Sequence, residues 1–124
     1  MAHRVIAVVD DDADVRDSLK FSLEVEGFRV RSFANGSELL RDAGLENLGC
    51  LIIDYHMPDM SGLELIERLR QRGLSIPSIL VSNDPSRVIG RRASVAGVLL
   101  MEKTKLAETL IEAIRHALGP AQLP

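Results

Sequence analysis

Four short apolar runs recur along the chain, and each is rich in Val, Ile or Leu. They occupy residues 5–9, 51–53, 79–81 and 98–101. None of them alternates apolar with polar positions, which is typical of strands buried on both faces of a parallel sheet. A fifth run, at residues 28–33 (FRVRSF), does alternate and predicts an edge strand.

Amphipathic stretches with a helical spacing follow these runs, and each carries signals for a start or a stop. The starts are Asp12 or Asp14, Ser37, Ser61, the pair Pro85 and Ser86, and Thr104. The stops are Gly27, Gly73, Gly97 and the pair Gly119 and Pro120. The dipeptide Asn35-Gly36 is also typical of a hairpin turn, but the helical spacing after it argues against a hairpin.

The strand–helix unit therefore repeats five times, which predicts an α/β fold. Strands joined through helices run parallel with right-handed crossovers, and one sheet covered by helices on both faces satisfies the pattern. The length of 124 residues suits one domain. We assign residues 1–118 to it and residues 119–124 (GPAQLP) to a tail or the start of a linker.

Composition limits the functions that this domain can have. The net charge of −3 and the 3% aromatic content predict no direct nucleic-acid binding. No apolar run is long enough to cross a bilayer, so no membrane association is expected. Cys50 is the single cysteine and is expected in the core; one cysteine excludes an internal disulfide and fits a cytoplasmic location.

Polar residues cluster where the predicted strands end. Asp10 and Asp11 follow the first strand and Asp54 follows the third, while Ser82 and Lys103 end the fourth and fifth. Because open parallel sheets bind ligands outside the carboxyl ends of their strands, these side chains are expected to converge. Taken singly, each residue is more often a helix cap, a turn serine or a solvated lysine. The convergence of all five favours a site.

The residue types in this set suit phosphoryl transfer onto a carboxylate. Three carboxylates repel one another, and a hard divalent cation such as Mg²⁺ relieves that repulsion through oxygen ligands. Lys103 supplies a fixed positive charge for a phosphoryl group, and the hydroxyl of Ser82 can donate to one of its oxygens. A carboxylate is a known nucleophile for forming an aspartyl phosphate.

The motifs resemble the receiver domain of bacterial two-component response regulators, over about residues 5–118. The resemblance depends on VVDDD at residues 8–12, ID at 53–54, MPDMSG at 57–62, VS at 81–82 and EK at 102–103. The amino-acid sequences of these motifs are similar to those of the FixJ/NarL-like branch of the family. The resemblance implies a flavodoxin-like (βα)5 three-layer sandwich with a parallel sheet of order 2-1-3-4-5.

The resemblance also implies residue roles, Mg²⁺ as cofactor, and a sensor histidine kinase or phosphotransfer protein as phosphodonor in a phosphorelay. No enzymatic activity is expected beyond the domain's own aspartyl phosphorylation and dephosphorylation. The implied roles are phosphoacceptor for Asp54, metal ligands for Asp10, Asp11, Asp54 and the backbone carbonyl of His56, and phosphoryl binding and switching for Ser82 and Lys103.

Four features depart from the family pattern. Thr104 stands where a cis proline is usual, and Leu100 stands where an aromatic residue usually reports movement of the hydroxyl residue. Asn83 replaces a small residue, and residues 97–103 look one residue short. One missing residue in a strand reverses the facing of its side chains unless a loop absorbs it.

We therefore expect a phosphorylation switch that alters the face formed by the fourth helix, fifth strand and fifth helix, which also suits a homodimer. The alternative is a receiver-like docking or dimerisation module with altered or lost switching, which the departures at Leu100 and Thr104 motivate. A hydrolase that uses Asp54 as a transient nucleophile is least favoured. The sequence names neither the kinase nor the pathway, and it fits a stand-alone domain or part of a longer regulator.

Overall fold

A computed structural model describes residues 5–83 and 86–102, and residues 106–118 with the side chains of 111–118 only. The strands are β1 Val5–Val9, β2 Arg29–Phe33, β3 Leu48–Asp54, β4 Ser78–Ser82 and β5 Leu99–Glu102. The helices are α1 Ala13–Val25, α2 Gly36–Leu40, α3 Gly62–Gln71, α4 Arg87–Val95 and α5 Leu106–Leu118, with a short 3₁₀ helix at Leu45–Asn47. In the part of the chain that the structure describes, no helix is long and apolar enough to cross a membrane.

All five strands pair in parallel in the order β2-β1-β3-β4-β5, which confirms the expected flavodoxin-like topology. β2 is an edge strand, as its alternating sequence predicts. β5 is the other edge, as the expected strand order requires, but the burial on both faces that its apolar run predicts was wrong, because Leu99 is 51% exposed. An apolar run shows which positions carry no polar side chain. It does not show whether a further strand pairs with the strand that it forms.

Helices cover both faces of the sheet and divide its core into two clusters of buried side chains. Alternate residues of β3 point to opposite faces: Leu51 and Ile53 pack with α2, α3 and α4, whereas Cys50 and Ile52 pack with α1 and α5. Cys50 is fully buried, as expected, and burial raises the pKa of its thiol to about 12. A thiol in this environment stays protonated and serves as a packing group.

The helix starts follow the sequence signals with one correction. The side chain of Asp12 caps α1, Ser61 caps α3 and Ser86 caps α4. The start of α2 is different, because the carboxamide oxygen of Asn35 accepts the N–H of Glu38 at 2.9 Å, and Ser37 lies inside the first turn. The predicted starts at Pro85 and Thr104, and the tail at residues 119–124, lie outside the described residues.

Three helices are followed by a glycine whose backbone conformation other residues rarely adopt. Gly27, Gly73 and Gly97 have positive φ angles of 95°, 82° and 70°, and each lies just after the end of a helix. Glycine adopts this left-handed conformation without steric cost, so it can reverse the chain after the last helical turn. These turns set the starting point of the segments that lead into β2, β4 and β5.

Candidate functional site

Asp10 lies at the carboxyl end of β1, and its main-chain and side-chain groups are held in place. Its N–H donates to the carbonyl of Phe33 at 3.1 Å, and its carbonyl accepts Arg16 Nη1 at 2.7 Å. Its carboxylate Oδ1 accepts the N–H of Asp12 at 2.9 Å. Asp10 is only 3% exposed, so its carboxylate has a fixed position at the edge of the sheet.

Asp54 is the last residue of β3 and is 6% exposed. Its Oδ1 accepts the N–H of His56 at 3.3 Å. The next residue, Tyr55, donates its N–H to the carbonyl of Val81 at 2.8 Å and accepts the N–H of Gly62 at 2.9 Å. These bonds connect the chain after Asp54 to both β4 and the start of α3.

Gly62 allows this close approach between α3 and the end of β3. A Cβ atom at this position would lie 2.8 Å from the carbonyl oxygen of Asp54 and 2.6 Å from a methyl group of Leu80. Because the first of these atoms belongs to the backbone, it cannot move away without shifting Asp54 itself. The final glycine of the MPDMSG segment therefore has a steric role beside the site.

The structure brings Asp10, Asp11 and Asp54 together. One carboxylate oxygen from each lies within 4.8 Å of the others, and Asp11 is the exposed member of this carboxylate cluster. Three like charges at this separation, two of them buried, repel one another strongly. A set of hard oxygen donors is what Mg²⁺ prefers, so the residues present fit this cation.

The structure describes some of the other predicted site residues but not all of them. Ser82 is fully buried and ends β4, one position after Val81, which pairs with Asp54. Asn83 and His56 are exposed. Lys103 and Thr104 lie outside the described residues, so the structure gives no position for the expected lysine or for the turn after it.

Leu100 points to the face of the sheet that α4 covers. β5 pairs residue by residue with β4, with Leu100 opposite Leu80, and Leu100 packs against the buried cluster that includes Ile89 of α4. Met101 packs on the opposite face. Leu100 therefore faces α4, on the side of the sheet that carries Ile89.

One contact beside the site was missed by the sequence reasoning. Asp59 Oδ2 accepts the backbone N–H of Ser37 at 2.9 Å and its hydroxyl at 2.7 Å. Met60 lies against the same turn, because a Cβ on Gly36 would meet its sulfur at 2.7 Å. These contacts attach the loop after β3 to the start of α2. The one available signal was that Asn35 and Ser37 are two capping residues beside a single helix start, which leaves one of them without a capping role.

The pKa of Asp59 responds to this contact. Partial desolvation raises it, but hydrogen bonds from the hydroxyl and backbone N–H of Ser37 and from the backbone N–H groups of Asp59 and Gly36 together outweigh that effect, so the pKa lies below its usual value. The ionised carboxylate is therefore the form that holds the loop to α2.

Comparison with known proteins gives one consistent family. The model of the response regulator receiver domain matches residues 6–115. The response regulator protein TmoT of Ectopseudomonas mendocina is 37% identical over 115 residues, which cover 92% of this chain and 52% of that protein. The transcriptional regulatory protein FixJ of Rhizobium meliloti is 35% identical over 118 residues, which cover 94% of this chain and 58% of that protein.

Solved structures agree with this result. The crystal structure of FixJ-N matches with a TM-score of 0.83 at 34% identity and covers 95% of both chains. The chain spans about half the length of the curated relatives it matches.

Proposed function

Because the chain belongs to the response regulator receiver family, which serves phosphorylation-based signalling in two-component systems, we propose that Asp54 is its phosphoacceptor. The observation that carries this proposal is the carboxylate cluster, in which Asp54 ends the central strand β3 beside Asp10 and Asp11. The FixJ-like resemblance supports the same assignment.

The proposed reaction moves a phosphoryl group from a phosphohistidine of a kinase or phosphotransfer protein to Asp54. A carboxylate oxygen of Asp54 forms the new P–O bond while the P–N bond to the donor breaks, and the electron pair leaves with the donor imidazole. Mg²⁺, held by Asp10, Asp11, Asp54 and the carbonyl of His56, would neutralise the charge on the phosphoryl oxygens.

The remaining residues of the site bind the phosphoryl group in this proposal. The hydroxyl of Ser82 donates to one phosphoryl oxygen, and Lys103 pairs with another. The position of Ser82 supports this role, since it ends the strand next to β3. When Ser82 engages the phosphoryl group, the segment that leads from β4 into α4 follows it and alters the face made by α4, β5 and α5.

The same face supports a homodimer or another protein partner. It exposes three large apolar side chains, Val88 and Val95 on α4 and Leu99 on β5, which are 59%, 86% and 51% exposed. Val88 and Val95 lie two helical turns apart on the same side of α4, where exposed apolar side chains suit contact with a partner. Arg87, Arg91 and Arg92 on α4 add positive charge around them.

The alternative function is a docking or dimerisation module whose surface does not depend on phosphorylation. The observation that favours it is Leu100, an aliphatic side chain in the place from which an aromatic ring is expected to follow Ser82. An equal affinity for a partner with and without phosphorylation would support this alternative.

The first test is incubation with acetyl phosphate and Mg²⁺, followed by intact mass measurement. We expect one added phosphoryl group on the wild type and none on Asp54→Asn. Asp59→Asn is the matched control, because it removes a nearby carboxylate outside the cluster, and we expect it to gain the group. An unmodified wild type, or a modified Asp54→Asn variant, would contradict the assignment of Asp54.

A further inference from the structure

Tyr55 lies between the proposed phosphoacceptor and α4. It directly follows Asp54, and its backbone is fixed to both β4 and α3 by the hydrogen bonds to Val81 and Gly62. Its side chain is 8% exposed and belongs to the same buried cluster as Ile89 and Ala93 of α4. A displacement of Asp54 or of α4 therefore changes the surroundings of this ring.

The phenol of Tyr55 also makes a polar contact with α4. Arg92 Nη1 donates to the Tyr55 hydroxyl at 3.5 Å, which is longer than is usual for an N–H···O hydrogen bond. Because a bond of this length is weak, a small shift of α4 is enough to tighten or to break it.

The Arg92 side of this contact borders a groove, whereas the Tyr55 ring is buried. Tyr55 and Arg92 both line a groove of about 670 Å³ between α3 and α4, together with Leu63, Val95 and Ala96. Arg92 is exposed, so its side chain can change position without disturbing the core. This freedom distinguishes Arg92 from Ile89 and Ala93, which are buried against the sheet.

Leu100 cannot serve the same purpose, although it packs in the same cluster. Its side chain has no polar atom and no long rigid ring, so it has no means of holding α4 in one of two positions by a directional bond. Among the described residues of this cluster, Tyr55 is the one whose side chain carries a hydroxyl group.

We propose that Tyr55 couples the state of Asp54 to the position of α4 through the bond between its hydroxyl and Arg92. The inference rests on the proposed function of Asp54 and extends it with a route to the α4 surface. The ring transmits a displacement at the end of β3, and the hydroxyl converts it into a stronger or weaker attachment of α4. The surface that carries Val88 and Val95 then changes with phosphorylation.

The test measures amide hydrogen exchange of α4 with and without acetyl phosphate and Mg²⁺, with intact mass recorded on the same samples. Phosphorylation of the wild type is expected to change exchange in α4. Tyr55→Phe keeps the ring and removes only the hydroxyl. We expect it to be phosphorylated to the same extent as the wild type, and its exchange response in α4 to fall by about two-fold or more.

Arg92→Gln is expected to behave like Tyr55→Phe, and Arg92→Lys to recover part of the response because it keeps a cationic donor. Arg91→Gln is the matched control, since it removes the same charge one position earlier on α4 and should keep the full response. Combining Tyr55→Phe with Arg92→Gln should add nothing to either single change, because both remove the same bond.

The outcomes separate this inference from the proposed function. A wild type that gains the phosphoryl group with no change in α4 exchange contradicts the coupling and leaves the role of Asp54 intact. A full response in Tyr55→Phe, or an equal loss in Arg91→Gln, also contradicts the coupling. A wild type that gains no phosphoryl group contradicts the proposed function and the coupling with it.

Discussion

At the scale of single residues, the carboxylates of this chain divide into two groups with different physical roles. Asp10, Asp11 and Asp54 lie close together, where their charges repel. Asp59 is only a few residues from Asp54 in sequence, but its carboxylate accepts two hydrogen bonds from Ser37 and holds a loop to α2. Removing a charge should therefore have opposite effects on stability in the two groups.

The first prediction concerns Asp59→Asn and pH. The folded-state pKa of Asp59 is lowered, so its ionisation stabilises the fold above the unfolded pKa of about 3.9. That stabilisation is lost as the pH falls through the folded-state value. We expect the variant to lose about 1 kcal/mol or less at neutral pH, because the contact is exposed to solvent. Denaturant unfolding at a series of pH values measures the difference.

The difference between wild type and Asp59→Asn should disappear at a pH below both pKa values. Ser37→Ala should show the same pH dependence, because it removes one donor of the same pair. Glu67→Gln removes an equal charge from the exposed surface of α3 and is the control. A destabilisation of Asp59→Asn that is constant from neutral to acid pH would show that its ionised form has no special role.

Sequence reasoning found the cluster but not Asp59 or Tyr55, and the reason is physical. The carboxyl end of a strand can be inferred from an apolar run, and parallel strands bring such ends together, so the group of Asp10, Asp11 and Asp54 was predictable. The partner of Asp59 is 22 residues away in sequence, and its position depends on how α2 packs. The hydroxyl of Tyr55 reaches Arg92 across 37 residues for the same reason.

At the scale of elements, local sequence signals were enough to locate the strands and to place most helix ends. β1 has the predicted bounds, while β3 is longer because residues 48–50 extend it at the start and Asp54 extends it at the end. The start of α2 was misplaced, because Asn35 and Ser37 are both good caps and only the chain direction after β2 decides between them. The burial expected for β5 on both faces was wrong because burial depends on tertiary structure, whereas the expected strand order did place this strand at the edge of the sheet.

The second prediction concerns α4, which carries a glycine in its interior. A Cβ on Gly90 would meet nothing within 4 Å, so Gly90→Ala adds no steric strain. Alanine loses less backbone entropy than glycine on forming a helix, and the substitution should raise the free energy of unfolding by about 0.5–1 kcal/mol. Urea denaturation of the wild type and the variant measures this change.

Gly62→Ala is the contrasting variant within the same prediction. Gly62 is also helical, but its Cβ would lie 2.8 Å from the backbone oxygen of Asp54. We expect this variant to be less stable than the wild type, in spite of the better helix propensity of alanine, and to accept the phosphoryl group more slowly because Asp54 must shift. Stabilisation by both substitutions would show that the close approach at Gly62 is easily relieved.

At the scale of the whole molecule, a net charge of −3 hides an uneven distribution. Acidic side chains concentrate at the carboxyl end of the sheet, whereas α4 has three arginines and no acidic residue. The fold therefore brings three carboxylates close together at the place where a cation is expected to bind. Its stability should depend on Mg²⁺ more than its modest net charge suggests.

The last prediction compares the wild type with Asp11→Asn at different concentrations of Mg²⁺. Without the ion, the variant should be the more stable protein by a few degrees in Tm, because it removes one of three repelling charges without uncovering the buried Asp10 or Asp54. With Mg²⁺ above its dissociation constant, the wild type should gain about 1.4 kcal/mol for each tenfold rise in concentration, and the variant should gain less. The two stabilities should therefore cross as Mg²⁺ increases.

Ca²⁺ and added NaCl at equal ionic strength separate specific binding from screening, since screening alone would bring the stabilities of the two proteins together without a crossing. A variant that is less stable than the wild type in the absence of the ion would mean that the hydrogen bonds of this turn, and not charge repulsion, dominate the energy of the site.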